Sequence, residues 1–174
     1  ALVNIVAPVY SGNVATGIYN ITVNGQSRHG FCIEYGSLAS TASLDYTVTA
    51  LEDAPVPGPA MGPNKAMDIM KVWSWWEASD GSGLSAAVAQ CTVGEITDDG
   101  NFLTGEFQLN TASVRTQAEA LLAALPNMTD YTQMIALTNA DAQDFAIPVP
   151  APGAALLASL GLGLIGHLRR RKTL

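Results

Sequence analysis

The apolar positions of this chain fall into three patterns. There are short β-branched runs bounded by turn residues, Ala and Leu at helical spacing, and one uninterrupted apolar stretch at the C-terminal end. Gly17 to Val23 carries Ile18, Tyr19, Ile21, Thr22 and Val23, which predicts a strand. Asn24-Gly25 follows as a two-residue hairpin signal, with a return strand over about Gly30 to Tyr35. Leu44 to Leu51 predicts another strand, and Pro55, Pro57, Pro59 and Pro63 predict a loop that no regular element crosses. Asn64 is placed to cap a helix over about Lys65 to Ala78. Asp80-Gly81-Ser82-Gly83 breaks it, and a second helix runs from Ser82 or Gly83 to about Glu95. A strand over Asn101 to Leu109 and a helix over Val114 to Leu125, ended by Pro126, come next. Two short strands, about Tyr131 to Leu137 and Phe145 to Ile147, complete the body. The expected class is α+β and β-rich: an antiparallel sheet, sandwich or barrel with inserted helices, forming one domain over residues 1–147.

The C-terminal pattern is of a different kind. Pro148, Pro150 and Pro152 fix φ and remove amide donors, so residues 148–152 read as a stiff linker. Residues 153–168 carry no charge, and only Ser159 and His167 interrupt their apolar character. Such a helix spans roughly 24 Å, and the stems of flanking basic residues extend its reach toward a ~30 Å hydrocarbon core. Gly161, Gly163 and Gly166 suit close helix contact in lipid. Arg169, Arg170, Arg171 and Lys172 then form a cationic stop, with residues 169–174 on the cytoplasmic side. The expectation is a single transmembrane helix with the body facing away from the cytoplasm.

Charge sharpens this. Four of the eight basic residues sit in the tail, so the body carries four basic against fifteen acidic side chains, a net of −11. An anionic body argues against nucleic-acid binding. The chain begins at Ala1, and the anchor implies export, so an export signal is expected to have been removed. Two cysteines in an exported protein permit one disulfide.

At Val149-Pro150-Ala151-Pro152, the apolar run and the arginines, the chain resembles the PEP-CTERM sorting signal of Gram-negative bacteria. Ala151 stands where that signal usually has Glu, and Ile147-Pro148-Val149-Pro150-Ala151 is similar to its Val-Pro-Leu-Pro-Ala variant. The resemblance implies the bacterial inner membrane as address and an exosortase as a partner. It says nothing of activity.

One constellation in the body bears chemistry. Cys32 lies in Phe-Cys-Ile-Glu, and Gln90 lies in Gln-Cys-Thr-Val-Gly-Glu-Ile. These segments resemble the Cys and Gln motifs of thioester-domain proteins on bacterial surfaces, with Glu95 and Ile96 matching the end of the second motif and its central Trp absent. Residues 137–145 are similar to the final strands of exported PEP-CTERM proteins with such a body. The resemblance implies that the Cys32 thiolate attacks the Gln90 carboxamide, expels ammonia and leaves an acyl group that an external amine can open. Cys91 offers a different linkage. Leu84, Ala87, Val88 and Cys91 share one helix face, which predicts that the core side presents Cys91, with Gln90 about 100° away. A Cys32–Cys91 disulfide, a Cys32–Gln90 thioester and unlinked buried cysteines all stay open at this level.

The remaining features carry less. Trp73 and Trp76 fit a core face with Ile69 and Val72, leaving Trp75 exposed. His29 and Cys32 fall on opposite faces of a strand, so no Cys–His pair is expected. Two histidines so placed do not suggest zinc, and Asp98-Asp99-Gly100-Asn101 reads as a turn rather than a calcium loop. Neither cofactor nor metal is expected, and no acid–base pair marks an enzyme. The expected role is non-enzymatic: a membrane-anchored cell-envelope or matrix interaction protein, meeting surface or matrix polymers. The rivals are an accessory subunit of a membrane complex and a covalent adhesin.

Overall fold

The computed structural model describes residues 2–7, 10–35, 37, 39–55 and 60–149. The predicted membrane helix 153–168, the basic tail with Arg169 to Lys172, and Pro150, Ala151 and Pro152 of the sorting motif lie outside the described residues. Among the described residues no helix is long and apolar enough to cross a membrane.

The body is α+β, with two antiparallel sheets and three α-helices among the described residues. The smaller sheet has β1 (Leu2–Ala7) between β2 (Tyr10–Ala15) and β6 (Gln108–Leu109). The larger has β3 (Tyr19–Val23), β4 (Gln26–Cys32), β8 (Phe145–Pro148), β7 (Met134–Thr138) and β5 (Thr47–Ala50), in that spatial order. The helices are α1 (Gly62–Glu77), α2 (Gly83–Thr97) and α3 (Ala112–Ala124).

Asn24 and Gly25 turn the β3–β4 hairpin with φ of 50° and 78°, the left-handed pair that matches strand twist. Because the turn is only two residues long, β4 begins at Gln26 and not near Gly30. It ends at Cys32, and Ile33 to Tyr35 leave the sheet. The helix predicted from Lys65 starts at Gly62 instead. Pro63 sits in its first turn, where a missing amide leaves no intrahelical bond unmade, and Asn64 is helical rather than a cap. Ser82 caps α2, accepting a hydrogen bond from the Ser85 amide at 3.1 Å. The strand expected over Asn101 to Leu109 shrinks to Gln108 and Leu109. Upstream, the Asp99 and Asn101 side chains accept backbone amides two residues on and close turns. The β1–β2 hairpin was not anticipated.

The core lies where α1, α2 and α3 meet and where α2 crosses β4. Phe31 of β4 stacks edge-on to Trp73 of α1, ring centroids 5.1 Å apart, and both are buried with Ile69, Val72 and Val88. Trp75 and Trp76 are partly buried against this core, so the expected exposure of Trp75 is not found. A second apolar cluster gathers Leu137, Phe145 and Ile147 with Tyr19 and Ile21.

α2 departs most from expectation. Its pattern suggested one core-facing stripe, yet every residue from Ala87 to Thr97 is buried, while Leu84 of the supposed stripe is 42% exposed. Small residues (Ala87, Ala89, Gly94) let neighbours close on all sides. Since Phe31 joins sheet to helices, Phe31→Ala should cost about 3–5 kcal/mol, read as a shift of the urea midpoint without a change of slope.

Candidate functional site

The side chain of Gln90 lies against the main chain of Cys32. The Cys32 amide donates to Gln90 Oε1 at 3.0 Å, and Gln90 Nε2 donates to the Cys32 carbonyl at 2.9 Å. Nε2 also donates to the Tyr35 hydroxyl at 3.1 Å, and that hydroxyl donates to the Gln90 carbonyl at 3.2 Å. The carboxamide thus has all its hydrogens and its oxygen engaged, as a polar group inside a buried helix requires. Cys32 and Gln90 are each 2% exposed.

The local reasons are geometric. β3 pairs with β4 only as far as Gly30, so on that edge no strand among the described residues occupies the Cys32 amide and carbonyl although β8 still pairs on the other, and a side chain can take them. Tyr35 reaches back over α2 because Gly94, one turn after Gln90, has no side chain. A Cβ there would collide with the Tyr35 ring and crowd Phe107. Tyr35 and Phe107 rings pack at 4.7 Å over this gap.

The Cys32 thiol donates to the Glu34 carbonyl at 2.8 Å. Burial pushes its pKa well above that of a free thiol, the Glu34 carbonyl and nearby Gln143 partly offset this, and the Glu34 and Asp144 carboxylates add to it. Gln143 donates to the Glu34 and Ser37 carbonyls, and Glu34 accepts from the Asp144 amide at 3.3 Å and from the Ser37 hydroxyl at 2.9 Å. Asp144 accepts the Asn139 amide at 2.7 Å. Burial raises Asp144 to about 6, with the Asn139 bond opposing and Glu34 reinforcing the rise. Glu34 and Asp144 also line a cleft of about 570 Å³ with Asp45 and Asp141, so an acidic depression opens beside the segment that carries the thiol.

Two linkages and an unlinked arrangement are open to the sequence; the structure sets the side chain of Gln90, and not that of Cys91, against the main chain of Cys32. Cys91 is a free thiol, as is Cys32. Cys91 faces another way, beside Thr16, and burial lifts it to about 12 with Thr16 partly offsetting. The core side does present Cys91, but Gln90 is buried as well and it is Gln90 that meets the end of β4. With every position from Ala87 to Thr97 buried, helical phase, not burial, decides which residue meets the strand. His29 is exposed and Cys32 buried, on opposite faces of β4 as expected. Of the sorting-motif residues, Pro148 closes β8, and the Val149 amide donates to the Gln133 carbonyl at 2.8 Å.

Sequence reasoning missed Tyr35, Glu34, Gln143 and Asp144 as the surroundings of the pair. The pattern Gln143-Asp144-Phe145 was visible as a segment, but nothing local tied its polar residues to Cys32. Compared with family models, curated proteins and solved structures, the chain matches none.

Gly94→Ala should displace Tyr35, cost about 1–3 kcal/mol and shift the environment of the Tyr35 ring, seen by near-ultraviolet circular dichroism. Asp144 sets a pH dependence. Its folded pKa is above the ordinary 3.8, so the folded state holds the proton longer. The stabilisation is complete below about pH 4 and is lost as pH rises through about 6, a fall on the order of 2–3 kcal/mol. Asp144→Asn keeps the acceptor for Asn139 and should flatten that slope in denaturation curves taken across the window.

Proposed function

We propose that this chain is a non-enzymatic cell-envelope protein, held at the bacterial inner membrane or sorted through it by its C-terminal segment. Its exported body attaches covalently to a partner through a Cys32–Gln90 thioester. The observation that carries this reading is the Gln90 carboxamide seated on the Cys32 main chain, both residues buried. Fixed contact supplies a large effective concentration for an otherwise slow acyl transfer. The sulfur of Cys32 bonds to Gln90 Cδ, the C–N bond breaks, and Nε2 leaves as ammonia carrying the thiol proton. Charge gathering on Oε1 faces the Cys32 amide at 3.0 Å, a ready hydrogen-bond donor. Tyr35 sits on the departing nitrogen at 3.1 Å. Burial suppresses the thiolate before reaction and keeps water from the product. An amine on the partner then takes the acyl group and returns the Cys32 thiol.

The plain alternative is that Gln90 is only a structural clamp between α2 and β4. Intact mass of protein isolated from its own membrane separates the two. The expected result is a species lighter by one ammonia, absent in Cys32→Ala and in Gln90→Ala. Incubation with methylamine should add one amine at Gln90. Full unreacted mass and no adduct under native conditions would leave only the clamp. The same spectra report whether residues 153–174 remain attached, which tests the sorting reading. Retention of the tail in a stoichiometric membrane complex would favour an accessory subunit instead.

A further inference from the structure

α2 ends among carboxylates. Glu95 lies in its last turn, Asp98 directly follows its last residue, and Asp99 comes next. One oxygen from each of the three lies within 4.8 Å of the others. A helix C-terminus carries partial negative charge, so it is the wrong end for acids and the right end for a cation. Lys65 serves the main chain here: its ammonium donates to the Thr97 and Asp98 carbonyls at 3.0 and 3.2 Å. Among the described residues the two ion pairs lie elsewhere, Lys71 with Asp68 and Arg115 with Glu119.

Asp98 and Asp99 have some partners. Asp98 Oδ2 accepts the Phe107 amide at 2.8 Å. Asp99 accepts the Asn101 amide and the Thr104 hydroxyl, both at 2.9 Å. Glu95 is different. It is 0% exposed, its carboxylate points into this group, and neither oxygen has a hydrogen-bond partner. A buried carboxylate without donors needs either a proton or a cation. Burial pushes Glu95 up to about 8; the nearby Asn101 amide, whose hydrogen bond goes to Asp99 and which makes none of good geometry to Glu95, opposes this in part, and Asp99 and Asp98 reinforce it. A proton on Glu95 quiets one residue of the three. A cation answers all of them and the helix end together.

We propose that Glu95, Asp98 and Asp99 hold a calcium ion at the C-terminal end of α2. Oxygens on opposite sides of calcium stand roughly 4.6–5.2 Å apart, whereas about 4.0–4.2 Å is the limit around magnesium. The three carboxylate oxygens lie within 4.8 Å of one another, a separation that calcium spans without any movement of the chain. Gly105 belongs to the same arrangement: any side chain there would strike the Asp98 and Asp99 carboxyl groups. The ion ties the turn after α2, and through Phe107 the approach to β6, onto the buried helix. This departs from the plain turn expected at residues 98–101.

The test uses the full chain in detergent, stripped with EDTA and dialysed, then titrated with calcium chloride and separately with magnesium chloride near neutral pH. Calorimetry should show one calcium bound per chain and weaker magnesium binding. At calcium about 100-fold above its Kd, Tm should rise by about 5–10 °C. Glu95→Gln, which keeps the shape of the neutral acid, and Asp99→Asn at the exposed carboxylate should each weaken calcium at least tenfold with unchanged circular dichroism. Asp45→Asn, in the separate cleft, should bind as the parent does. If Glu95→Gln fails to fold, Asp99→Asn alone decides. No heat and no Tm shift in the parent protein overturns the proposal, as does parent-like affinity in Asp99→Asn.

Discussion

Enclosure of α2 from Ala87 to Thr97 governs this molecule. A helix buried on every side cannot send a polar side chain to water, so each one must find its partner inside. Thr92 and Thr97 solve this within the helix, bonding the carbonyls of Val88 and Gly94. Gln90 cannot do so with a carboxamide of that reach. It takes the main-chain amide and carbonyl of Cys32 at the end of β4. The contact between the two residues is therefore a product of packing before it is a matter of chemistry.

That origin explains the mixed character of the site. The enclosure that seats the Gln90 carboxamide on the Cys32 main chain also buries the Cys32 thiol, which raises its pKa and keeps the sulfur in its unreactive form. Stability and latency come from the same burial. The polar segment with Glu34, Gln143 and Asp144 adds negative charge near the sulfur, reinforcing that latency, while giving the neighbouring cleft its acidic wall.

The middle and the C-terminal end of α2 pose the same problem in different forms. Near its middle an amide is satisfied by main chain, at modest cost. At its C-terminal end Glu95 brings a carboxylate into an equally dry place with no donor waiting. The Lys65 ammonium, which reaches this end of the helix, is occupied by the Thr97 and Asp98 carbonyls. The helix thus combines a fully answered polar group and an unanswered one within five positions, and only the second asks for something from outside the chain.

Local chemistry along the chain determined a good deal. Asn24-Gly25 specified a hairpin because both positions must take positive φ. Ser82 marked the start of α2 because its hydroxyl can accept an orphan amide. Val114 to Leu125, the short apolar runs of β7 and β8, and the burial of Trp73 followed from periodicity. Boundaries slipped where one residue has two roles: Pro63 breaks a helix interior but suits a helix start, and Asn101 to Gly105 carries strand-like apolar residues on a chain bent by Asx turns. Tertiary structure alone decided which face of α2 meets β4. Eleven consecutive buried positions from Ala87 to Thr97 carry no stripe, so the sequence could not choose between Gln90 and Cys91. The choice depends on the rotational setting of one helix against one strand end, fixed by Gly94 admitting Tyr35 and by residues far apart in the chain, and no local pattern encodes it.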